Sequence, residues 1–578
     1  MSSAAPQAIL TPRARAGIGL LRRGLAWLED TRPLYVLSAL LVVEWLTILA
    51  VGLTVRRNGW IYYQGGDQLW HWAASWLVGH GRLTHTSVGY VWSIVLLPFA
   101  LVAGPNLVSA LPAILLFNVL VLMPIAFVSI YGIGERIGGR LFGYWCALLW
   151  VIVPIIGIKY ADAGYHQRYT ELLLPQSFGL SVMSDFPAMV VLAAAAYFLL
   201  RAAQDDWPVD AVLAGLLAGI ALGIKPSNAP FLVGAGLALL VARRWRGILA
   251  FGLGVFPSIV ALVVWKARGE GNVPLFSNGA RAVRLAAGTY TPVVGVSFNL
   301  HKYVSFDWHW FQVEQLDSLD SHFWSLRILE WIAIGGLIGL LRKSRPAGLL
   351  FGGWMFATIF VKWGSSTHGS TVDNSDILRQ SIFTIPAALM LIAGTLFLFP
   401  RLPQKLQRGP SRPWGSHRLR VGLVAGLVTL FAVVPVALAA ALQPLKNSDK
   451  LVYYTQDGVS LSAPFAVDNA WRPQLSEVGG FVTLQWRGLH ALGGHMNYVV
   501  LRAPINATVA CDATGGGAQC RLLGAIVDYT NGKHAFQERP GPGVWQYRVG
   551  AKASWLNEAN QGDIYVVGPP VDVTIPGG

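Results

Sequence analysis

The stretch that decides the fold is LYVLSALLVVEWLTILAVGLTV, which runs from Leu34 to Val55. As a helix it is long enough to cross about 30 Å of hydrocarbon. Further apolar runs recur up to Leu442, separated by short loops that carry Arg, Lys, Pro or Gly. The chain of 578 residues is 54% hydrophobic, only 13% charged, and contains 23 tryptophans. This composition is typical of a polytopic membrane protein, and we interpret the first run as a retained span because no small-residue cleavage site follows it.

The net charge of +15 would suit a nucleic-acid partner, but the distribution of the cations argues against one. They cluster in short loops beside apolar runs, at residues 13–32, 243–246, 342–345 and 401–420. The positive-inside rule predicts that all four clusters are cytoplasmic. We therefore expect an integral protein of a bacterial-type inner or plasma membrane that binds no nucleic acid.

The same rule assigns the domains. Residues 1–33 are the basic cytoplasmic N-terminus, residues 34–443 the membrane domain, and residues 444–578 an extracytoplasmic domain. The predicted outer loops are residues 56–89, 159–185, 267–326 and 362–380. Opposite locations of the two termini require an odd number of spans, about eleven or thirteen. The weakest span is Val91 to Ala103, which is short and ends at Gly104-Pro105, and a re-entrant segment here would give eleven.

The last domain changes character, because side chains alternate between apolar and polar at residues 481–486, 498–501 and 544–549. Such period-two runs between turn-rich segments predict an all-β sandwich of antiparallel strands. The strand that carries Trp486 and the run from Tyr547 to Ala551 resemble a fibronectin type III domain. Cys511 and Cys520 would form a disulfide in an oxidising compartment, the alternative being two free thiols. Cys146 lies in an apolar run and is predicted to serve only in packing.

The first candidate site follows the first span. Asp67 comes after Gly65-Gly66 and begins a helical pattern, so it is either an N-cap or a general base at the outer membrane surface. His71 lies one turn later. In an amphipathic helix on the membrane, Asp67 and His71 would share a face while Trp72 and Trp76 lie in the interface. The spacing of acids and histidines does not indicate a divalent metal, and no cofactor is predicted.

The second outer loop mixes acids, bases and aromatic residues. Asp162, Tyr165 and Arg168 are candidate ligands of a sugar phosphate, and the tyrosines are alternatively interfacial anchors. Asp185 precedes Pro187 at the start of the next span, where substrate binding and helix capping are the two interpretations.

Two more cations lie against the positive-inside bias. Lys225 occupies a very short outer turn and is matched either to a phosphate or, by snorkelling, to lipid headgroups. Arg379 follows His368 in the last outer loop, just before a span, and its guanidinium suits a phosphate.

This layout resembles the GT-C superfamily of membrane glycosyltransferases over about residues 30–400. The matching features are the stretch from Gly66 and Asp67 to Gly81, Asp185-Phe186-Pro187, and Lys225. The run Arg379 to Ala387 is similar to the protein mannosyltransferase and aminoarabinose transferase branch. Gln68 stands where these enzymes commonly have a second acid. Gly89-Tyr90-Val91-Trp92 stands where their Lys-Pro-Pro motif is expected.

The resemblance implies an enzyme that transfers a sugar from a polyprenyl-phosphate donor to a glycan, lipid or protein acceptor, with inversion. Asp67 would be the base, Lys225, Arg379 and Arg168 would bind the donor phosphate, and His71, Asp162, Tyr165, Asp185 and His368 would bind substrate. Two alternatives remain: a non-enzymatic assembly or export component that presents the β domain, and a ligase or polymerase of polyprenyl-diphosphate glycans.

Overall fold

A computed structural model describes most of the membrane domain and the strands of the C-terminal region. The described residues are 23–54, 67–83, 89–103, 107–159, 176, 179–268, 276–278, 282–284, 290–292, 296–298, 306–317, 321, 324–364, 381–408, 415–444, 453–454, 460–461, 466–467, 473–487, 496–505, 521–528, 533–552, 564–567 and 570–576.

The N-terminal part of the chain is helical. Among the described residues, this part contains the helices α1 Pro33–Thr54, α2 Asp67–Gly79, α3 Val91–Ala103, α4 Leu107–Phe117, α5 Met123–Lys159, α6 Asp185–Asp205, α7 Pro208–Ile224 and α8 Pro230–Val241. A π-helical turn, Asn118–Leu122, joins α4 to α5, and α5 is broken by non-helical backbone at Gly138 and Gly139.

Seven further helices follow. They are α9 Trp245–Arg268, α10 Trp324–Lys343, α11 Arg345–Thr358, α12 Ile385–Gly394, α13 Leu402–Lys405, α14 His417–Val428 and α15 Val434–Ala441. The predicted loop 267–326 also contains a π-helical turn, Trp310–Leu316, and four short strands, β2 Phe276–Asn278, β3 Ala282–Arg284, β4 Tyr290–Pro292 and β5 Val296–Phe298.

Within the described residues, five helical stretches are long and apolar enough to cross a membrane. They are Pro33–Ala50, Ala110–Ile152, Asp185–Asp205, Trp245–Arg268 and His417–Ala441. Helix α3 has 13 residues, a length of about 20 Å, which is too short to cross about 30 Å of hydrocarbon. The prediction of a polytopic helical membrane protein is confirmed, and the predicted number of spans stays a prediction.

The helices form one packed bundle. Helix α6 packs on α5 and α7, α7 packs on α9, α8 packs on α11, and α10 packs on α12. Much of α6 is buried inside the protein, since 78% of the residues in its most apolar 18-residue segment are buried. Cys146, as predicted, is fully buried packing in α5. Helix α6 is therefore the central helix of the bundle.

The C-terminal region consists of β-sheet, as predicted. A three-stranded antiparallel sheet has the order β10 Gln474–Val478, β11 Phe481–Arg487, β14 Lys533–Glu538. A six-stranded sheet contains β9 Ala466–Val467, β12 Met496–Pro504, β13 Arg521–Asp528, β15 Gly543–Lys552, β16 Ile564–Val567 and β17 Val571–Ile575. Its order is β13-β12-β15-β16-β9, with β17 also paired to β15.

Side chains from both sheets form the core of this region. Trp486 of the smaller sheet contacts Tyr498 of the larger one at a ring distance of 5.9 Å, and both are buried. Glu538 of β14 accepts hydrogen bonds from Arg502 at 3.0 Å and from Tyr547 at 2.5 Å, and both donors belong to the larger sheet. A polar bridge thus accompanies the apolar contact between the sheets.

A pair of short strands connects the segment after α2 with the segment after α15. Strand β1, Arg82–Leu83, pairs in parallel with β6, Gln443–Pro444, which follows the last helix of the bundle. Two further strands, β7 Tyr453–Tyr454 and β8 Ser460–Leu461, form a hairpin pair. The segment after α2 is therefore in contact with the point at which the chain leaves the bundle.

Candidate functional site

The candidate site is formed where three separate segments meet at one end of α6. These segments are the start of α2, residues 89–92 before and in α3, and the irregular backbone of residues 179–184 before α6. The turn after α7, which carries Lys225, completes it. Below we call this group of segments the Asp185 end of the bundle.

The irregular segment is held by side chains from its neighbours. The amide of Val182 donates to Oε1 of Gln68 at 2.6 Å, and the carbonyl of Val182 accepts from Nε1 of Trp92 at 2.8 Å. Nδ2 of Asn118 donates to the carbonyls of Gly179 and Ser181, each at 3.0 Å. Because non-helical backbone inside a membrane protein needs internal hydrogen-bond partners, these side chains allow the segment to lie within the bundle.

Asp185 and Lys225, both predicted site residues, form a buried ion pair. Nζ of Lys225 donates to Oδ1 of Asp185 at 2.6 Å, and the two side chains are only 11% and 4% exposed. Asp185 lies in the first turn of α6 without being its N-cap, which is Ser184, and Lys225 points to a carboxylate inside the protein rather than to lipid headgroups. The pair is formally neutral.

Close backbone contact brings the turn of Lys225 to residues 89–92. The amide of Gly89 donates to the carbonyl of Ile224 at 3.1 Å. A Cβ atom on Gly89 would lie 1.9 Å from the carbonyl oxygen of Gly223, so only glycine fits here. The hydroxyl of Tyr90 donates to the carbonyl of Phe431, in the π-helical turn between α14 and α15, at 2.6 Å. Residues 89–92 therefore contact the turn after α7, the irregular segment and the π-helical turn between α14 and α15.

Helix α2 begins at Asp67, and one helical turn later His71 is fully buried. The side chain of Asp67 lies outside the described residues, so base and cap both stay predictions. The expected position of the tryptophans needs a correction, because Trp72 is fully buried in the protein rather than in the membrane interface. Trp76 is half-buried and stacks on His80 at a ring distance of 4.1 Å. The reason is that α2 packs against α3 instead of lying alone on the membrane.

Several predicted site residues lie outside the described part of the chain. They are Asp162, Tyr165, Arg168, His368, Arg379, Cys511 and Cys520. Within the part that is described, no group of three or more His, Cys, Asp or Glu side chains is arranged to hold a metal ion.

The sequence interpretation missed the residues that support the site. Gln68 and Gly89-Tyr90-Val91-Trp92 were recognised from the sequence only as positions where the chain differs from the GT-C pattern. Asn118 was not recognised from it. A further one is Glu44 in α1, which is 2% exposed and accepts a hydrogen bond from Nε1 of Trp150 at 2.7 Å. Gln176 donates to the carbonyl of Trp150 at 3.2 Å. An acid inside an apolar run was the signal that would have identified Glu44.

Comparisons with known proteins give a distant structural similarity. No family model and no curated protein matches the sequence. Among solved structures, the fold is similar to archaeal oligosaccharyltransferase AglB from Archaeoglobus fulgidus, a structure in complex with an inhibitory peptide and a dolichol-phosphate. The TM-score is 0.40 and the sequence identity 14%, over 71% of this chain and 57% of that chain. This chain therefore spans little more than half the length of that protein.

Proposed function

We propose that this protein is an integral membrane glycosyltransferase that uses a polyprenyl-phosphate sugar as donor. The observation that carries the proposal is the buried ion pair between Asp185 and Lys225, held beside the segments that contain Gln68 and Trp92. A buried ion pair at a helix end inside a membrane protein is costly to maintain, and such groups commonly mark substrate sites.

The reaction is the attack of an acceptor hydroxyl on the anomeric carbon of the donor sugar. Asp67 removes the proton of that hydroxyl, the bond between the sugar and the phosphate breaks, and the configuration inverts. The leaving group is a lipid phosphate that is stable as an anion, so a strong general acid is not required. Stabilisation of the phosphate charge is the main catalytic demand.

Lys225 is proposed as one of the cations that serve this purpose. Asp185 holds its ammonium group in place but also neutralises its charge, so a bound phosphate would make the local charge negative. Further cations are therefore needed, and Arg379 and Arg168 are proposed for this role. Pre-positioning of Lys225 by Asp185 lowers the entropic cost of binding the phosphate.

The proposed site lies on the extracytoplasmic side. Helix α6 has 21 residues, so Asp185 and Asp205 are about 30 Å apart, close to the thickness of the hydrocarbon core. The basic clusters at residues 243–246 and 342–345 follow helices that end near Asp205, and they favour the cytoplasm for that end. The acceptor, a glycan, lipid or protein, would then be used outside, where the C-terminal β region is also proposed to lie.

The decisive experiment separates base from cap at Asp67. Asparagine caps a helix about as well as aspartate but cannot accept a proton at neutral pH. Asp67→Asn should fold and bind donor normally and lose about 100-fold or more of the transfer rate. The assay follows release of polyprenyl phosphate from a panel of synthetic polyprenyl-phosphate sugars by the protein in proteoliposomes, in the presence of a mixture of glycan, lipid and protein acceptors.

Asp67→Ser, another good cap, is the matched second variant and should be equally inactive. Near-native turnover by Asp67→Asn would make the residue structural and would move the search for a base to Asp162 or Asp185. If wild-type protein releases no polyprenyl phosphate from any donor of the panel, while remaining folded, the glycosyltransferase proposal itself is refuted.

A further inference from the structure

The opposite end of the bundle contains a polar cavity that glycosyl transfer at the Asp185 end does not use. Its volume is about 440 Å³, within the usual range of ligand pockets. The polar residues that line it are Arg136, Gln204, Lys343, Ser344, Gln407 and Arg408. They come from α5, the end of α6, the junction of α10 and α11, and the segment after α13, so the cavity is formed only when four parts of the bundle meet.

Backbone geometry builds one wall of this cavity. Gly139, at the break in α5, has a positive φ of 81°. A Cβ atom on Gly139 would lie 2.4 Å from the carbonyl oxygen of Gln407, so the absence of a side chain permits the contact. Arg136, three residues earlier, is thereby brought to the same place as Gln407 and Arg408.

The cavity is positively charged. Arg136 forms an ion pair with Asp205, and Nη2 of Arg408 contacts the other oxygen of Asp205 at 3.1 Å. Asp205 is 1% exposed and neutralises only one of these two guanidinium groups. Lys343 adds a third cation, so the four side chains have a formal charge of +2. Arg244, nearby, is paired with its own acid, Asp206, at 2.9 Å.

Donor groups remain available to a ligand. The ammonium of Lys343 donates to the carbonyls of Pro403 and Leu406, and among the described residues its third N–H has no acceptor. Arg136 is 4% exposed, and its Nε likewise has no hydrogen-bond partner in the described part of the chain. Buried donors without acceptors are costly, and an anion with several oxygen atoms would satisfy them.

We propose that this cavity binds a phosphate-bearing anion, either the headgroup of an anionic lipid or a soluble phosphate compound. The cavity lies about one hydrocarbon thickness from Asp185, at the level of a membrane surface. Basic pockets between helices at this level bind lipid phosphate headgroups. The site is independent of the proposed glycosyl transfer, because its residues occupy the other end of α6.

The test measures thermal stabilisation of the purified full-length protein in nanodiscs. One arm compares neutral phosphatidylcholine with the same lipid containing graded amounts of cardiolipin. The other arm adds inorganic pyrophosphate to neutral nanodiscs at constant ionic strength, which separates binding from general screening. Native mass spectrometry of detergent-released protein counts retained cardiolipin.

Two variants and a matched control test the residues. Arg408→Gln keeps the buried pair of Arg136 with Asp205, and Lys343→Met keeps the length of the side chain. Each should weaken the apparent affinity about tenfold or more, as expected when a charged hydrogen bond is lost. Arg345→Gln removes an exposed cation from the junction of α10 and α11 that does not line the cavity, and it should bind like wild type.

The two arms identify the source of the phosphate. If cardiolipin stabilises the wild-type protein saturably and Arg408→Gln and Lys343→Met both lose this stabilisation, the ligand is a lipid headgroup. If pyrophosphate stabilises the wild type saturably and both variants lose that effect, the ligand is a soluble phosphate compound. Absence of saturable stabilisation in both arms would overturn the proposal. So would an equal loss in Arg345→Gln, because the effect would then come from diffuse surface charge.

Discussion

Breaking the ion pair between Asp185 and Lys225 should destabilise the protein and abolish its function together. The two charges lie 2.6 Å apart, with side chains 4% and 11% exposed. Removing one partner takes this compensation from the buried charge that remains, which costs about 3–5 kcal/mol. We expect this loss for Asp185→Asn and for Lys225→Met when each is measured alone.

The double variant should lose less than the sum of the two single losses, because neither charge of the pair remains. We expect a coupling energy of about 2–3 kcal/mol. The measurement is reversible unfolding in mixed micelles, followed by the fluorescence of the 23 tryptophans. Single losses that add within about 0.5 kcal/mol would refute the pairing.

The buried pair between Arg201 and Asp210 is a matched control for the prediction that breaking the Asp185–Lys225 pair abolishes transfer. Its atoms are 2.8 Å apart, its side chains are 4% and 0% exposed, and it lies toward the other end of α6. Arg201→Met should cost similar stability but keep the transfer rate per folded molecule. The double variant of Asp185 and Lys225 should be about as stable as either single variant, and its transfer should stay lost. Recovery of transfer per folded molecule in the double variant would make that pair purely structural.

Two further predictions concern a support of the site and the C-terminal region. Gln68→Leu should cost about 1–3 kcal/mol, because it leaves the buried amide of Val182 without its acceptor, whereas Gln68→Glu, which keeps an oxygen acceptor, should cost less in the same unfolding assay. Burial, followed by the hydrogen bond to Glu538, raises the pKa of Tyr547 above its ordinary value. Since the folded state holds this proton more tightly than the unfolded state, the stabilisation is complete below about pH 10 and decreases as the pH rises further. Thermal unfolding of full-length protein should show a loss of about 1 kcal/mol between about pH 10 and 11 that Tyr547→Phe lacks, and identical pH profiles would contradict this assignment.

Local patterns in the sequence were sufficient for the fold class. Apolar runs such as Leu34 to Val55 have to be helical in a membrane, because their backbone groups have no other partners there. Alternation around Trp486 and Tyr547 likewise identified strands that the structure contains. These properties depend on residues adjacent in sequence, which is why they were predictable.

Candidate site residues were only partly predictable. Asp185 is a candidate because it lies at the start of a span, and Lys225 because a cation at its position runs against the positive-inside rule. Their mutual contact, however, joins residues 40 positions apart. Each had a plausible local explanation, capping for the acid and snorkelling for the lysine. Packing of α7 against α6 added the ion pair, which neither explanation predicts.

The sequence by itself determined that this is a helical membrane protein with a β-sheet C-terminal region. The tertiary structure decided which polar residues meet. Gln68 and Trp92 both form hydrogen bonds with the backbone of Val182. Lys343 and Arg408, which belong to basic clusters predicted to be topology signals, line a cavity together with Arg136. The physical reason is that hydropathy and periodicity act along the chain, whereas hydrogen bonds and ion pairs depend on distances that only the packed helices set.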